Sequence, residues 1–255
     1  MLKYLGGKSR LAKSLVKNFP EHTCYCEPFC GALWVLLAKK QQSKREVVND
    51  LDSELITFWR VVQNHPEAFI KECGKMIHSR ELFFNEKTKN PNLFTDIQRA
   101  ARYFYLQKTS FGGKTTNRSF GTSATKVSPF NKATIKRKIN EITARLELVT
   151  IENIPAFNCI EKYDRKDTFF YIDPPYFNTA GYVNPFPEIE YKKLSKILKN
   201  IDGKFMLSLN NHPFVRDTFS AFNFESTSLR YSVGNSRTSK ATRSELITEL
   251  IITNY

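Results

Sequence analysis

The sequence predicts an α/β fold: an open, largely parallel sheet whose strands alternate with helices, broken near its middle by a mainly helical insertion. Three observations carry this. Short apolar runs alternate with helical patterns in residues 1–56 and again in 149–255. Between 57 and 148 the alternation lapses into long helical patterns and a polar loop. Two predicted strands end on an acid, Asp50 and Asp173, at the strand ends where open α/β sheets place their ligands.

Taken in order, Gly6-Gly7-Lys8 precedes a helical pattern (Leu11, Leu15, Val16, Phe19) that stops before Pro20. Glycines and a lysine ahead of a helix suit an anion or carboxylate, although a plain glycine turn fits them as well. A strand runs to about Cys26, a turn carries Phe29 and Gly31, and a helix follows from Ala32 to Lys40. The second strand is Glu46 to Asp50, with a helix from about Ser53. Asp50 falls about 20 residues after the glycine turn, where nucleotide binders place the acid that holds ribose hydroxyls.

The insertion holds helical patterns at Ile56 to Val62 and Ile97 to Leu106, then a loop from Thr109 to Pro129 rich in Gly, Ser, Thr and Asn. Residues 107–145 carry nine Lys or Arg against one acid, Glu141, with Phe111, Phe120 and Phe130 interleaved. That pattern suits phosphate contacts and insertion beside bases. Lys114, Arg118, Phe120 and Lys126 are the candidates, and Arg118 is the best placed by type to read a guanine edge. The α/β pattern resumes with strands at Leu148 to Ile154 and 169–172, a helix at Glu188 to Leu198, and a strand at Lys204 to Leu209. A helix near Phe214 to Phe222 and strands at Glu225 to Ser232 and Leu246 to Thr253 close the chain. The acid-free link at 234–243 offers Arg237 and Lys240 as further phosphate contacts.

Asp173-Pro174-Pro175-Tyr176 ends the 169–172 strand, because neither proline has an N–H to give the ladder. A carboxylate, a rigid carbonyl and an aromatic ring then meet in one crevice, a set that suits a planar base with an exocyclic amine. By itself the stretch also reads as a Pro-rich turn with a capping aspartate.

A balance of 39 basic against 25 acidic residues gives a formal charge of +14, which suits a polyanionic partner, nucleic acid before a membrane surface. No apolar run approaches the ~20 residues of a membrane span. The N-terminal residues lack a secretory apolar core, so a cytoplasmic location is expected. Five cysteines in no framework spacing suit reduced thiols. His22, Cys24, Cys26 and Cys30 lack a CxxC pair, so no metal is expected.

Lys3-Tyr4-Leu5-Gly6-Gly7-Lys8, Glu27-Pro28-Phe29-Cys30-Gly31-Ala32, Val48-Asn49-Asp50 and Asp173-Pro174-Pro175-Tyr176, in this order and spacing, resemble the Dam-type (D12 class) DNA adenine-N6 methyltransferases, most closely their phage and prophage branch. The resemblance covers nearly the whole chain. It implies a Rossmann-like methyltransferase sheet in 1–56 and 149–255, an inserted target-recognition domain in 57–148, S-adenosylmethionine as cofactor, and double-stranded DNA as substrate in a bacterial or phage-infected cell. Tyr4, Gly6, Gly7, Lys8, Phe29, Gly31 and Asp50 then match cofactor positions, and Asn153 and Ile154 fall near the cofactor adenine by position. Asp173, Pro174, Pro175 and Tyr176 match the catalytic motif, with Asp173 also near the cofactor, and Lys3 matches a DNA-contacting position. The family's usual recognition-loop pattern does not map onto residues 111–120, which leaves site-specific and relaxed methylation both open. Cytosine-N4 methylation and an inactive DNA-binding protein of the same fold are the alternative readings.

Overall fold

The computed structural model describes residues 2, 8–125, 127–179, 183–230 and 246–255. Among these, seven strands form one sheet in the order β3-β2-β1-β4-β5-β7-β6. They are β1 (Cys24–Glu27), β2 (Arg45–Asn49), β3 (Val149–Glu152), β4 (Thr168–Ile172), β5 (Lys204–Asn210), β6 (Asn223–Arg230) and β7 (Leu246–Thr253). β1 to β5 pair in parallel, and β7 lies antiparallel between β5 and β6. The strand order reverses between β1 and β4, so a crevice opens at their carboxyl ends.

Alternate residues on a strand face opposite sides, and both sides of this sheet are covered. Tyr25, Phe169 and Tyr171 join one core with α1 (Ala12–Lys17), α2 (Trp34–Ala38) and the insertion. Cys26, Phe170 and Ile172 join the other, beneath α8 (Ala156–Tyr163), α9 (Glu188–Leu198) and α10 (Pro213–Thr218). The aromatic run 169–172 is buried throughout because it feeds both cores.

The insertion is helical as expected: α3 (Ser53–Asn64), α4 (Pro66–Gly74), α5 (Arg80–Thr88), α6 (Asp96–Thr109) and α7 (Lys132–Leu146). Local signals fix its ends. The Asp52 carboxylate accepts from the backbone of Glu54 and Leu55 at 3.0 and 3.3 Å, and Thr95 with Gln98 makes a capping box at the start of α6. The expected division between 56 and 57 falls inside α3, and Phe58 and Trp59 of that helix lie in the same core as Tyr25 and Phe169. Burying each such ring contributes roughly 1.5–3 kcal/mol, so insertion and sheet share their stability.

Two differences from the sequence reading have local causes. The helix expected from Ala32 begins at Trp34, because Gly31 and Leu33 have positive φ (46° and 56°). α8 was not expected; it starts after Pro155, whose missing N–H costs nothing at a helix entry.

Candidate active site at the sheet switch point

The catalytic candidates follow β4 directly. Pro174 is buried, and Asp173, Pro175 and Tyr176 are half-buried. The Tyr191 hydroxyl on α9 donates to the Pro175 carbonyl at 2.5 Å, and the Asn210 amide donates to the Phe177 carbonyl at 3.1 Å. Those bonds hold the loop from both sides.

Behind it lies a buried charged cluster. The Lys8 ammonium donates to Asp173 Oδ1 at 2.5 Å and to the Tyr176 hydroxyl at 2.7 Å, and pairs with Glu249 Oε1 at 3.1 Å. Glu249 also accepts from the Tyr176 and Ser208 hydroxyls. Lys8 and Glu249 are almost wholly buried, whereas the Asp173 side chain keeps 19% of its surface open. Burial pushes the Asp173 carboxyl up to about 6; Lys8 pulls it back and Glu249 adds to the rise. Burial would lower the Lys8 pKa, but the charges of Asp173 and Glu249 with the nearby Tyr171 raise it, so the ammonium persists. Burial and the same carboxylates push the Tyr176 phenol well up, so it stays a neutral donor.

Lys8, Asp173, Pro174 and Pro175 also line a cavity of about 410 Å³. Its walls include Phe29, Gly31, Pro155, Phe157 and Phe186, with Glu27, Asp50 and Tyr171 on its polar parts. Phe186 stands edge-on to Phe29 at 5.7 Å and to Phe157 at 6.2 Å, giving an aromatic wall. At the end of β2, Asp50 Oδ2 accepts the Gly31 N–H at 3.0 Å and Oδ1 accepts the Asp52 N–H at 3.0 Å. The positive φ at Gly31 suits a residue without Cβ and lets its backbone face both Asp50 and the cavity. Burial pushes Asp50 up to about 6 against those two N–H bonds, and pushes Glu27 up to about 8 although Tyr25 donates to it at 2.6 Å.

Asn153 and Ile154 do not line the cavity; the next three residues, Pro155 to Phe157, do. Asn153 instead donates to the Asp50 carbonyl at 2.7 Å, and Ile154 exchanges bonds with the buried Asn49 amide. They brace the wall from behind. Tyr176 is not a wall residue either: its hydroxyl is taken into the charged cluster and its ring lies 4.6 Å from the Lys8 ammonium.

In the insertion, Lys114 is exposed. Arg118 is turned inward, donating to Gln107 Oε1 at 3.0 Å and lying 5.5 Å from the Tyr103 ring centre. Phe120 packs on His78 at 4.7 Å and Phe83 at 5.6 Å, and its backbone bridges to Ser110, so it is not a free wedge. Phe130 is buried in the core. Lys3, Tyr4, Gly6, Gly7, Lys126, Arg237 and Lys240 lie outside the described residues.

The sequence reading missed Glu249, Tyr171, Glu27, Phe157 and Phe186. An acid amid the apolar residues of β7 was the one available signal for Glu249.

Fold and site together define an α/β protein with a ligand cavity at its switch point and a buried charged cluster at the cavity's edge. The chain matches the D12 class N6 adenine-specific DNA methyltransferase family over residues 4–233, and it belongs to that family. It is similar to the type II methyltransferase M.MjaIII of Methanocaldococcus jannaschii, 24% identical over all of this chain and 98% of that protein. It is 26% identical to the type II methyltransferase M1.LlaDCHI of Lactococcus lactis subsp. cremoris over 99% of this chain and 94% of that one. A DNA adenine methylase of Haemophilus influenzae is 24% identical over 96% and 91%. The protein is therefore an enzyme that methylates N6 of adenine in DNA, with S-adenosylmethionine as methyl donor.

Proposed function

We propose that the cavity between Asp50 and Asp173 holds the methyl donor, and that residues 173–176 present an adenine flipped out of duplex DNA to its methyl group. The observation that carries this is the continuity of one cavity from an acid at the end of β2 to an acid at the end of β4. The residues fit the donor. The volume lies in the range of small-ligand sites, the aromatic and proline walls suit a purine, and Asp50 offers oxygens to ribose hydroxyls. When bound, S-adenosylmethionine supplies an electrophilic methyl group.

The protein's own part is to place and polarise the amine. Asp173 Oδ2 and the Pro174 carbonyl accept the two N6–H bonds and draw the nitrogen lone pair toward the methyl. Charge that builds on N6 would be stabilised by those fixed acceptors; as the N–CH3 bond forms, the donor's sulfur–methyl bond would break to leave a neutral thioether, and one N6 proton would pass to Asp173. Tyr176, anchored at its hydroxyl, is the stacking surface for the extruded base. Lys8 and Glu249 hold that constellation from beneath.

The insertion is the target-recognition part. Lys114 and Lys126, with Lys3, Arg237 and Lys240, serve phosphate contacts, and Arg118 reads a base only if it leaves Gln107. A cytoplasmic location in a bacterial or phage-infected cell is in keeping with duplex DNA as substrate. Asp50→Ala is the direct test of the cofactor end. Calorimetric affinity for S-adenosylhomocysteine should fall at least about ten-fold, the worth of a lost charge-assisted hydrogen bond; unchanged affinity would remove Asp50 from the site.

A further inference from the structure

Tyr171 is a buried polar group that the preceding scheme leaves unused. Its side chain is 2% exposed and lines the cavity, yet its hydroxyl has no hydrogen-bond partner among the described residues. An unpaired buried hydroxyl costs free energy that phenylalanine would avoid. β4 accepts phenylalanine readily at Phe169 and Phe170. A phenol kept at this position is therefore a group awaiting a partner from the cavity.

We propose that the Tyr171 hydroxyl donates a hydrogen bond to the carboxylate at the amino-acid end of S-adenosylmethionine. This rests on the cofactor reading above. Tyr171 and Asp173 are two residues apart and so share a side of the chain, with Tyr171 one pleat, about 6–7 Å, deeper in the sheet. The donor sulfur carries three branches. Its methyl must face Asp173, where the amine is held, and its nucleoside runs toward Asp50 and the aromatic wall. The third branch is left the polar inner part of the cavity, where Lys8, Glu27 and Tyr171 stand. The Tyr171 hydroxyl is a donor there, and a carboxylate is the part of that branch that takes donors. Burial and the neighbouring Asp173 carboxylate push the Tyr171 phenol well up, so it keeps its proton across the working pH range.

Tyr171→Phe tests this with two ligands and one measurement without ligand. The ligands are S-adenosylhomocysteine and 5′-methylthioadenosine, which keeps the nucleoside and sulfur but lacks the amino-acid end. The variant should bind S-adenosylhomocysteine about ten-fold or more weakly by calorimetry, the worth of a hydrogen bond to a charged group. Its affinity for methylthioadenosine should be unchanged. Without ligand its melting temperature should rise by about 2–4 °C, because an unsatisfied group has been removed. Opposite signs for free stability and ligand affinity are what a purely structural tyrosine does not give. Equal affinity for S-adenosylhomocysteine overturns the proposal, as does equal weakening toward both ligands or a lower melting temperature. Failure of the unmodified protein to bind either nucleoside overturns the cofactor reading itself, and this proposal with it.

Discussion

The carboxyl end of the sheet and the helical insertion both carry cationic side chains and aromatic rings, and they use them in opposite ways. At the sheet end Lys8 is buried and matched: it lies between Asp173 and Glu249, and Tyr176 bonds to that cluster through its hydroxyl. In the insertion the inward-facing cations are held by the fold, and exposed ones either pair at the surface, as Arg137 does with Glu141 at 2.5 Å, or face solvent. Arg145 pairs with Glu46 at 2.5 Å and ties α7 to β2, and Arg118 rests on Gln107 and Tyr103, while Lys114 and Lys136 stay exposed. Burial makes the identity of a charged residue obligatory, because an unmatched ion away from water is expensive. An exposed lysine needs no partner, so neither its position nor its role is fixed by the fold.

Five substitutions bear on that contrast, in falling order of effect. Asp173→Ala should lower methyl transfer to DNA by about a thousand-fold, the scale seen when a fixed transition-state partner is removed, while gel-shift affinity for DNA stays near normal; turnover within ten-fold of normal would break the catalytic assignment. Glu249→Ala should cost about 3 kcal/mol in urea unfolding, since it strips a buried ammonium of one partner. The milder Glu249→Gln has a kinetic signature. On the proposed scheme Asp173 acts as a carboxylate, and burial pushes it up to about 6, so activity should be lost as pH falls through that value. Glu249 contributes to the upward shift, so in Glu249→Gln the acid limb of the pH–rate profile should move lower; an unmoved limb would uncouple the two carboxylates.

Arg118→Ala should destabilise the fold by about 1 kcal/mol through the lost Gln107 bond. Lys114→Ala should change stability by less than about 0.5 kcal/mol and instead reduce the salt slope of DNA binding by about 0.9. If the two variants behave alike in urea, the distinction between inward and outward charge in the insertion fails.

The same contrast explains what could be read from the sequence. The strand–helix alternation was legible because period-two burial on both sides of a sheet leaves solid apolar runs, and α9 and β7 match their expected bounds. Gly31, Asp50 and Asp173 were legible because strand ends and a left-handed turn restrict which residues fit. Glu249 was not. It reaches the site only because β7 runs antiparallel beside β5, where it opposes Asn210, a pairing that local pattern does not encode. Tyr171 was hidden for another reason: in a buried aromatic run its hydroxyl is invisible until its neighbours are placed. Phe120 packs on His78 and Phe83, a contact the pattern does not show, because interleaved aromatics on a basic loop look alike whether they fill the core or face a ligand.

The charged cluster also bears on how the enzyme comes into being. The Lys8–Asp173 pair joins residues 165 apart in the chain, and Tyr176–Glu249 joins residues 73 apart. Contacts of such separation are entropically slow to close, and β7 must thread between β5 and an edge strand before Glu249 arrives. An emerging chain with β1 to β5 already paired would thus hold the helical insertion without the acid that seats Lys8 and Tyr176. With the insertion in its proposed role, capacity to hold DNA would mature before capacity to modify it, and β7 would complete the charged cluster only on entering between β5 and β6.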